Sequence, residues 1–261
     1  MRSFVILPST ALLACAIHAA GLNDTGQTTC YNSGNAPVAC STTVGGDAGV
    51  NPRQDARYGR DAQAAAGRLT KVGAGTAGFD FSKIANNGTT LSANAALGDA
   101  ATDWACTKDN ITGLMWEVKP TFGLRNSAYT YTWYSTQPTN GGNPGGLGTD
   151  STCGYSLGAP PYNNQCNTQN FVSAVNAATL CGAANWRLPT QKELLSIVST
   201  GATNPSIDVT YFPNTVTDWH WTASTSAADP AYAWHVGFNW GRSFAPPKSN
   251  WYYVRLVRGG P

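Results

Sequence analysis

Short runs of alternating apolar and polar residues, separated by stretches rich in Gly, Asn and Thr, dominate the chain and predict more strand than helix. Residues 79–84 alternate in this way and stop at Asn86-Asn87-Gly88. Residues 113–118 form a second such run, entered by a turn at Asp109-Asn110, and residues 129–134 are aromatic and Thr-rich, again strand-like. Near the C-terminal end, residues 219–224, 233–238 and 252–258 read as three closely spaced strands. Within them Trp234, Val236 and Phe238 share one face, with His235 on the other. Val254 and Leu256 likewise stand opposite Arg255 and Val257.

Helical spacing occurs in two places. Phe171, Val172, Val175 and Ala178 recur across 168–181, with Gly182 as the stop. After Pro189, the order Thr190-Gln-Lys-Glu193 matches a capping box, in which the Thr hydroxyl takes one free amide and the Glu reaches back to another. Leu194, Ile197 and Val198 supply the buried stripe behind it. This assigns Glu193 to helix capping rather than catalysis. Residues 138–165 form a long loop of Gly, Asn, Pro and Thr, of the kind that is usually functional or mobile.

Composition sharpens the picture. The 261 residues are 42% hydrophobic, enough for a core, but only 11% are charged. An ordinary domain carries about 25% charged residues, so this chain is polar mainly through Asn, Thr, Ser and Gly. The 28 Gly and 15 Pro point to many turns. A net charge of +2 does not suit a nucleic-acid binder. Arg2 followed by the apolar run 4–17 and the small residues near Ala19 reads as an export signal over residues 1–20. Leu12-Leu13-Ala14-Cys15 also resembles a lipobox, so a lipid anchor at Cys15 is the alternative to simple cleavage. Both routes deliver the chain to an oxidising compartment, outside the inner membrane or outside the cell.

Without Cys15, six cysteines remain, and six allow 15 pairings. With no C-x-x-C pair, disulfides are favoured over metal ligation. Cys30–Cys40 and Cys153–Cys166 are the expected local bridges, because each closes a polar loop with little core of its own. Cys106–Cys181 is then the long-range clamp.

Three stretches mix large apolar side chains with single charges: Thr112-Gly-Leu-Met-Trp-Glu117, Asn185-Trp-Arg-Leu-Pro-Thr190 and Tyr253-Val-Arg-Leu-Val-Arg258. As a set, from about Cys106 to Arg258, they resemble the Lcl C-terminal domain family, named for a collagen-like bacterial surface adhesin. The resemblance implies an α+β, C-type-lectin-like fold: a small twisted antiparallel sheet, two helices and long disulfide-tied loops. It divides the chain into the signal 1–20, a polar N-terminal extension 21–78 and the family domain 79–261. The related adhesin domain binds sulfated polysaccharides and assembles as a trimer, so a polysaccharide or envelope-protein partner and a homo-oligomer are implied. This chain has no Gly-X-Y collagen run. The lectin-type calcium motifs, Glu-Pro-Asn or Gln-Pro-Asp with Trp-Asn-Asp, are also missing.

The residues show no catalytic constellation, and no cofactor or metal is implied. His220 and His235 could approach if their strands pair, yet with Asp218 they would make a weak metal site. Arg53, Arg57, Arg60 and Arg68 interleave with Asp55 and Asp61, which reads as a solvated face with local ion pairs before it reads as a basic patch. Trp116, Glu117, Trp186, Arg187, Pro189 and Arg255 are assigned structural roles, with Glu117 as the candidate partner of Arg187 or Arg255. Ligand contact is expected in the loop 239–251, where Trp240 and Trp251 sit beside Arg242, Lys248 and Asn250. The flat face of an exposed indole covers the apolar side of a pyranose, and polar neighbours take its hydroxyls. Exported glycan binding without catalysis is therefore the leading expectation. A structural envelope protein that docks a protein partner is the second, and an enzyme of unrecognised chemistry the third.

Overall fold

Alternation in residues 79–84 becomes strand β3 (Phe81–Ala85), but its pairing partner was not foreseen. That partner is β4 (Trp104–Asp109), buried at five of its six positions. A strand covered on both faces lacks the alternation by which strands are usually found. Next to it lie β5 (Met115–Glu117) and β11 (Val257–Arg258), giving an antiparallel sheet in the order β11-β5-β4-β3. Ile84 stands opposite Cys106, and Trp116 opposite both Thr107 and Val257. The structure is a computed structural model and describes residues 23–32, 34–40, 54–149, 153 and 161–259. The export signal, Cys15 and Arg53 lie outside the described residues.

A second sheet contains β7 (Trp219–Thr225), β8 (Ala233–Gly237) and β9 (Arg242–Phe244). A parallel bridge from His220 to Tyr253 joins it to β10 (Trp251–Tyr252), which pairs with β6 (Tyr131–Thr132). The segment 252–258, expected as one strand, is therefore two. Its start serves the second sheet and its end the first, with Val254 to Leu256 buried in the crossing.

Alternation of side chains divides the interior into two clusters. One gathers Ile84, Cys106, Tyr131, Trp133, Phe171, Trp186, Trp221 and Leu256. The other gathers Phe81, Trp116, Leu194, Ile197, Phe212, Val236, Phe238 and Val257. Each fully buried large apolar side chain stabilises the fold by about 2 kcal/mol over an exposed one. Trp234, placed by alternation on the face of Val236 and Phe238, is only half-buried and belongs to neither cluster.

Helix α1 (Gly59–Ala65) lies in the N-terminal extension, and α2 (Thr168–Ala177) backs the first cluster through Phe171 and Val175. The Asn167 side chain caps α2 by accepting from the Asn170 amide at 2.9 Å. This helix ends before the expected Gly182 because Thr179 and Cys181 take left-handed backbone angles, φ 49° and 51°. Helix α3 (Gln191–Leu195) carries the anticipated capping box, with both reciprocal bonds between Thr190 and Glu193 formed. All three expected disulfides are present: Cys30–Cys40, Cys106–Cys181 and Cys153–Cys166. No helix among the described residues is long and apolar enough to cross a membrane.

The extension lies against the domain. It forms the hairpin β1 (Cys30–Tyr31) and β2 (Pro37–Val38), closed by its own disulfide. The Thr200 amide donates to the Thr25 carbonyl at 2.7 Å, and the Thr76 amide to the Asp208 carboxylate at 2.7 Å. Ala74 bridges Phe81, so the extension also meets the edge of the first sheet.

Candidate functional site

The three charged-apolar stretches meet through their backbones. Val257 exchanges two hydrogen bonds with Arg187, both 2.9 Å, and stands opposite Trp116 on β5. Trp116 and Trp186 are buried in different clusters, so the meeting point at Val257 has an interior on each side. Glu117, fully buried, accepts from the Leu256 amide at 2.9 Å and pairs with Lys119 at 2.9 Å. Arg255 donates to the Glu117 carbonyl and to the Thr215 hydroxyl, each at 2.7 Å. Arg255 thus meets Glu117 at its carbonyl. Burial pushes Lys119 down to about 8 against the pull of Glu117, and pushes Arg255 down to about 10. Arg187 goes elsewhere: its guanidinium forks onto Glu193 at 2.7 and 2.8 Å. Burial would raise the Glu193 carboxyl, but that fork and the Thr190 amide hold it below its usual range. Pro189 is buried at the entry to α3.

The expected ligand-binding residues divide. Trp240 is 57% exposed at the β8–β9 turn, and the Arg242 guanidinium lies 4.9 Å from its ring centre. Phe244, two residues further along β9, is 65% exposed. Register places Phe244 opposite His235, and Arg242 opposite Gly237. Trp219 and Trp221 of β7 share that face, since Trp219 pairs with Gly237 and Trp221 with His235. Trp219 stacks on His235 with centroids 4.1 Å apart, and Tyr252 meets His235 edge-on at 4.8 Å. Asn250 joins this face by donating to the Tyr252 hydroxyl at 3.2 Å. The result is a row of rings that starts in the core at Trp221 and ends in solvent at Phe244. Trp251 is 36% exposed but alternates away from Tyr252, so it belongs to the other side of β10. Lys248, expected to be exposed, is buried. It donates to the Asn140 and Asn143 carbonyls at 2.8 and 2.7 Å and sits 3.9 Å from the Trp133 ring centre. Burial pushes its ammonium down to about 8. Phe244 and Tyr252 were missed, although Trp240, Arg242 and Phe244 at every second position form a readable pattern.

A family model described as the Lcl C-terminal domain matches residues 105–258, the region that holds both this row and the three meeting stretches. The chain belongs to that family. No curated protein and no solved structure gives a match.

Within the Lcl C-terminal domain the two histidines do not converge. His220 faces Val236 across the strand pair, whereas His235 faces Trp221, so they occupy opposite sides of one sheet. Burial pushes both down, His235 to about 4. Neither ring nitrogen of His235 has a hydrogen-bond partner among the described residues. A base–nucleophile pair or a shared metal cannot be assembled from them in this geometry.

Outside the Lcl C-terminal domain, ligand atoms of Asp24, Asp55 and Asp61 lie within 4.8 Å of one another. Asp61 is fully buried, which corrects its placement on a solvated face, and accepts from the Gly78 amide at 2.6 Å. Burial and then the neighbouring carboxylates push Asp61 up. Oxygen donors of this kind suit a hard divalent cation, and a proton relieves the same crowding.

One cavity that meets a signature stretch was not visible in the sequence. It is a groove of about 530 Å³ between α2 and the segment 133–139, floored by Trp133, Val172 and Leu188. Leu188 of the Trp-Arg-Leu-Pro stretch packs half-buried against the first cluster and also lines this groove.

Proposed function

We propose that this chain is an exported bacterial binding protein with a C-type-lectin-like domain, which recognises a glycan or another envelope or extracellular polymer without catalysis. The single observation that carries this reading is the ring row Trp240–Arg242–Phe244. Two aromatic side chains, each more than half exposed, flank a guanidinium, Trp240 from the β8–β9 turn and Phe244 from β9. Surface aromatics of this size normally seek cover, and rigid rings beside an Arg are the usual anchors of recognition. A pyranose stacks on the rings while Arg242 meets its hydroxyls or an acidic substituent. Family membership, three disulfides and the low charge content support delivery outside the inner membrane. The opposed histidines speak against the enzyme reading. The inward hydrogen bonds of the extension leave the alternative, docking of an envelope partner through that segment, with less free polar surface.

A glycan array with the purified protein tests the proposal. Trp240→Ala and Phe244→Ala should each weaken binding at least about ten-fold while leaving the melting temperature unchanged. Trp251→Ala, on the other side of β10, should retain binding. Undiminished binding by the Trp240→Ala/Phe244→Ala double variant would remove the site from this row.

A further inference from the structure

We propose that the groove between α2 and residues 133–139 is a second, separate site, and that it takes a neutral sugar of one or two rings. The argument starts from the lining. Trp133, Val172, Leu188 and Ala223 make an apolar floor, and Gln137, Gln169, Ser173 and Thr190 make a rim of amides and hydroxyls. The only full charge in the lining is Arg187, and both forks of its guanidinium are already committed to Glu193. A charged ligand would thus find no free counter-charge, whereas a molecule with an apolar face and neutral hydrogen-bonding edges matches floor and rim together. Neutral pyranoses have that shape. The volume, about 530 Å³, falls within the roughly 300–1,000 Å³ of small-molecule sites.

The walls are braced before any ligand arrives. Tyr134 and Thr168 exchange two bonds, the Tyr134 amide donating to the Thr168 hydroxyl at 3.0 Å and that hydroxyl donating to the Tyr134 carbonyl at 2.9 Å. The Gln169 side-chain oxygen accepts from the Thr136 amide at 2.8 Å, which ties α2 to the facing segment again. Lys248 holds the rest of that wall through the Asn140 and Asn143 carbonyls, and the Trp133 indole is fixed by donating to the Thr222 carbonyl at 2.8 Å. A groove held open in this way spares the bound state most of the ordering cost that weak sugar sites otherwise carry. Lys248 is then a positioning residue, which accounts for a buried ammonium that pairs with two carbonyls and with no carboxylate among the described residues.

Saturation-transfer NMR on the full chain provides the test, with free neutral mono- and disaccharides at about 10 mM, where a millimolar site fills. A sulfated disaccharide and a neutral polysaccharide form the comparison arms. At least one neutral sugar should receive saturation. Ser173→Trp, an exposed position of α2 on the groove rim, should abolish it, and Gln137→Ala/Gln169→Ala should weaken it several-fold even if the bulky variant folds poorly. Trp240→Ala/Phe244→Ala should leave it intact. A signal from the free disaccharide as well as the polymer identifies a site for single sugar units, and a signal from the polymer alone overturns that assignment. Loss on changing Trp240 and Phe244 but not the groove residues would return the sugar to the ring row. Absence of transfer to any neutral sugar overturns the proposal while leaving the ring row to its own array experiment.

Discussion

Acid should weaken this protein through one ring. His235 is 2% exposed, both of its nitrogens lack hydrogen-bond partners among the described residues, and its ring neighbours are Trp219, Trp221, Tyr252 and Phe244. No charge stabilises its protonated form, and burial alone pushes it from 6.5 to about 4. The unfolded chain therefore takes up this proton between about pH 6.5 and pH 4 while the folded protein does not, so stability falls as pH falls through that window. The shift corresponds to about 3 kcal/mol once pH drops below the folded value. Urea unfolding of the oxidised protein at a series of pH values, for wild type and His235→Phe, isolates the effect, because the carboxylates and His220 titrate in both and cancel in the difference. At neutral pH the variant should be as stable as wild type or slightly more so, since the change removes two unsatisfied nitrogens from an aromatic box. Towards pH 4 the gap should widen in its favour by about 3 kcal/mol. Parallel pH profiles for the two proteins would refute the reasoning and place the imidazole in contact with water.

Other perturbations test the remaining framework. Replacing Cys106 and Cys181 together by Ala opens a link between residues 75 apart, and chemical denaturation should show a loss of about 4 kcal/mol. Glu117→Gln keeps the shape but strips the carboxylate from Lys119 and removes the negative charge that offsets buried Arg255, so unfolding experiments should record about 3–5 kcal/mol of destabilisation. Gly237→Ala places a methyl group 2.8 Å from the Trp219 ring, which must move; about 1–3 kcal/mol and an altered Trp emission spectrum are expected.

What could be read from the sequence was local or countable. The Thr190–Glu193 box is specified within four residues, and its geometry formed as expected. The cysteine pairs followed from loop composition, and the three charged-apolar stretches do meet at Val257. Three kinds of feature stayed hidden. β4 is covered on both faces and so shows no alternation. The run 252–258 keeps its alternation while passing from one sheet to another, and nothing in residue order marks the handover. Lys248 sits among loop residues and aromatics, which reads as surface, yet its ammonium replaces the missing donors for two inward-facing carbonyls. The groove could not be seen either, since its floor comes from residues 133, 172 and 188, whose proximity only the fold creates.

The pairing of β11 with β5 has a consequence for biogenesis. Val257 is the partner of both Trp116 and Arg187, so the framework is closed by residues that leave the ribosome long after the segments they bind. A nascent chain halted before Val254 would lack the backbone partner of Glu117 and the Arg255 beside it, and could not seal either half of its interior. Closure of both halves then waits on the segment 254–258.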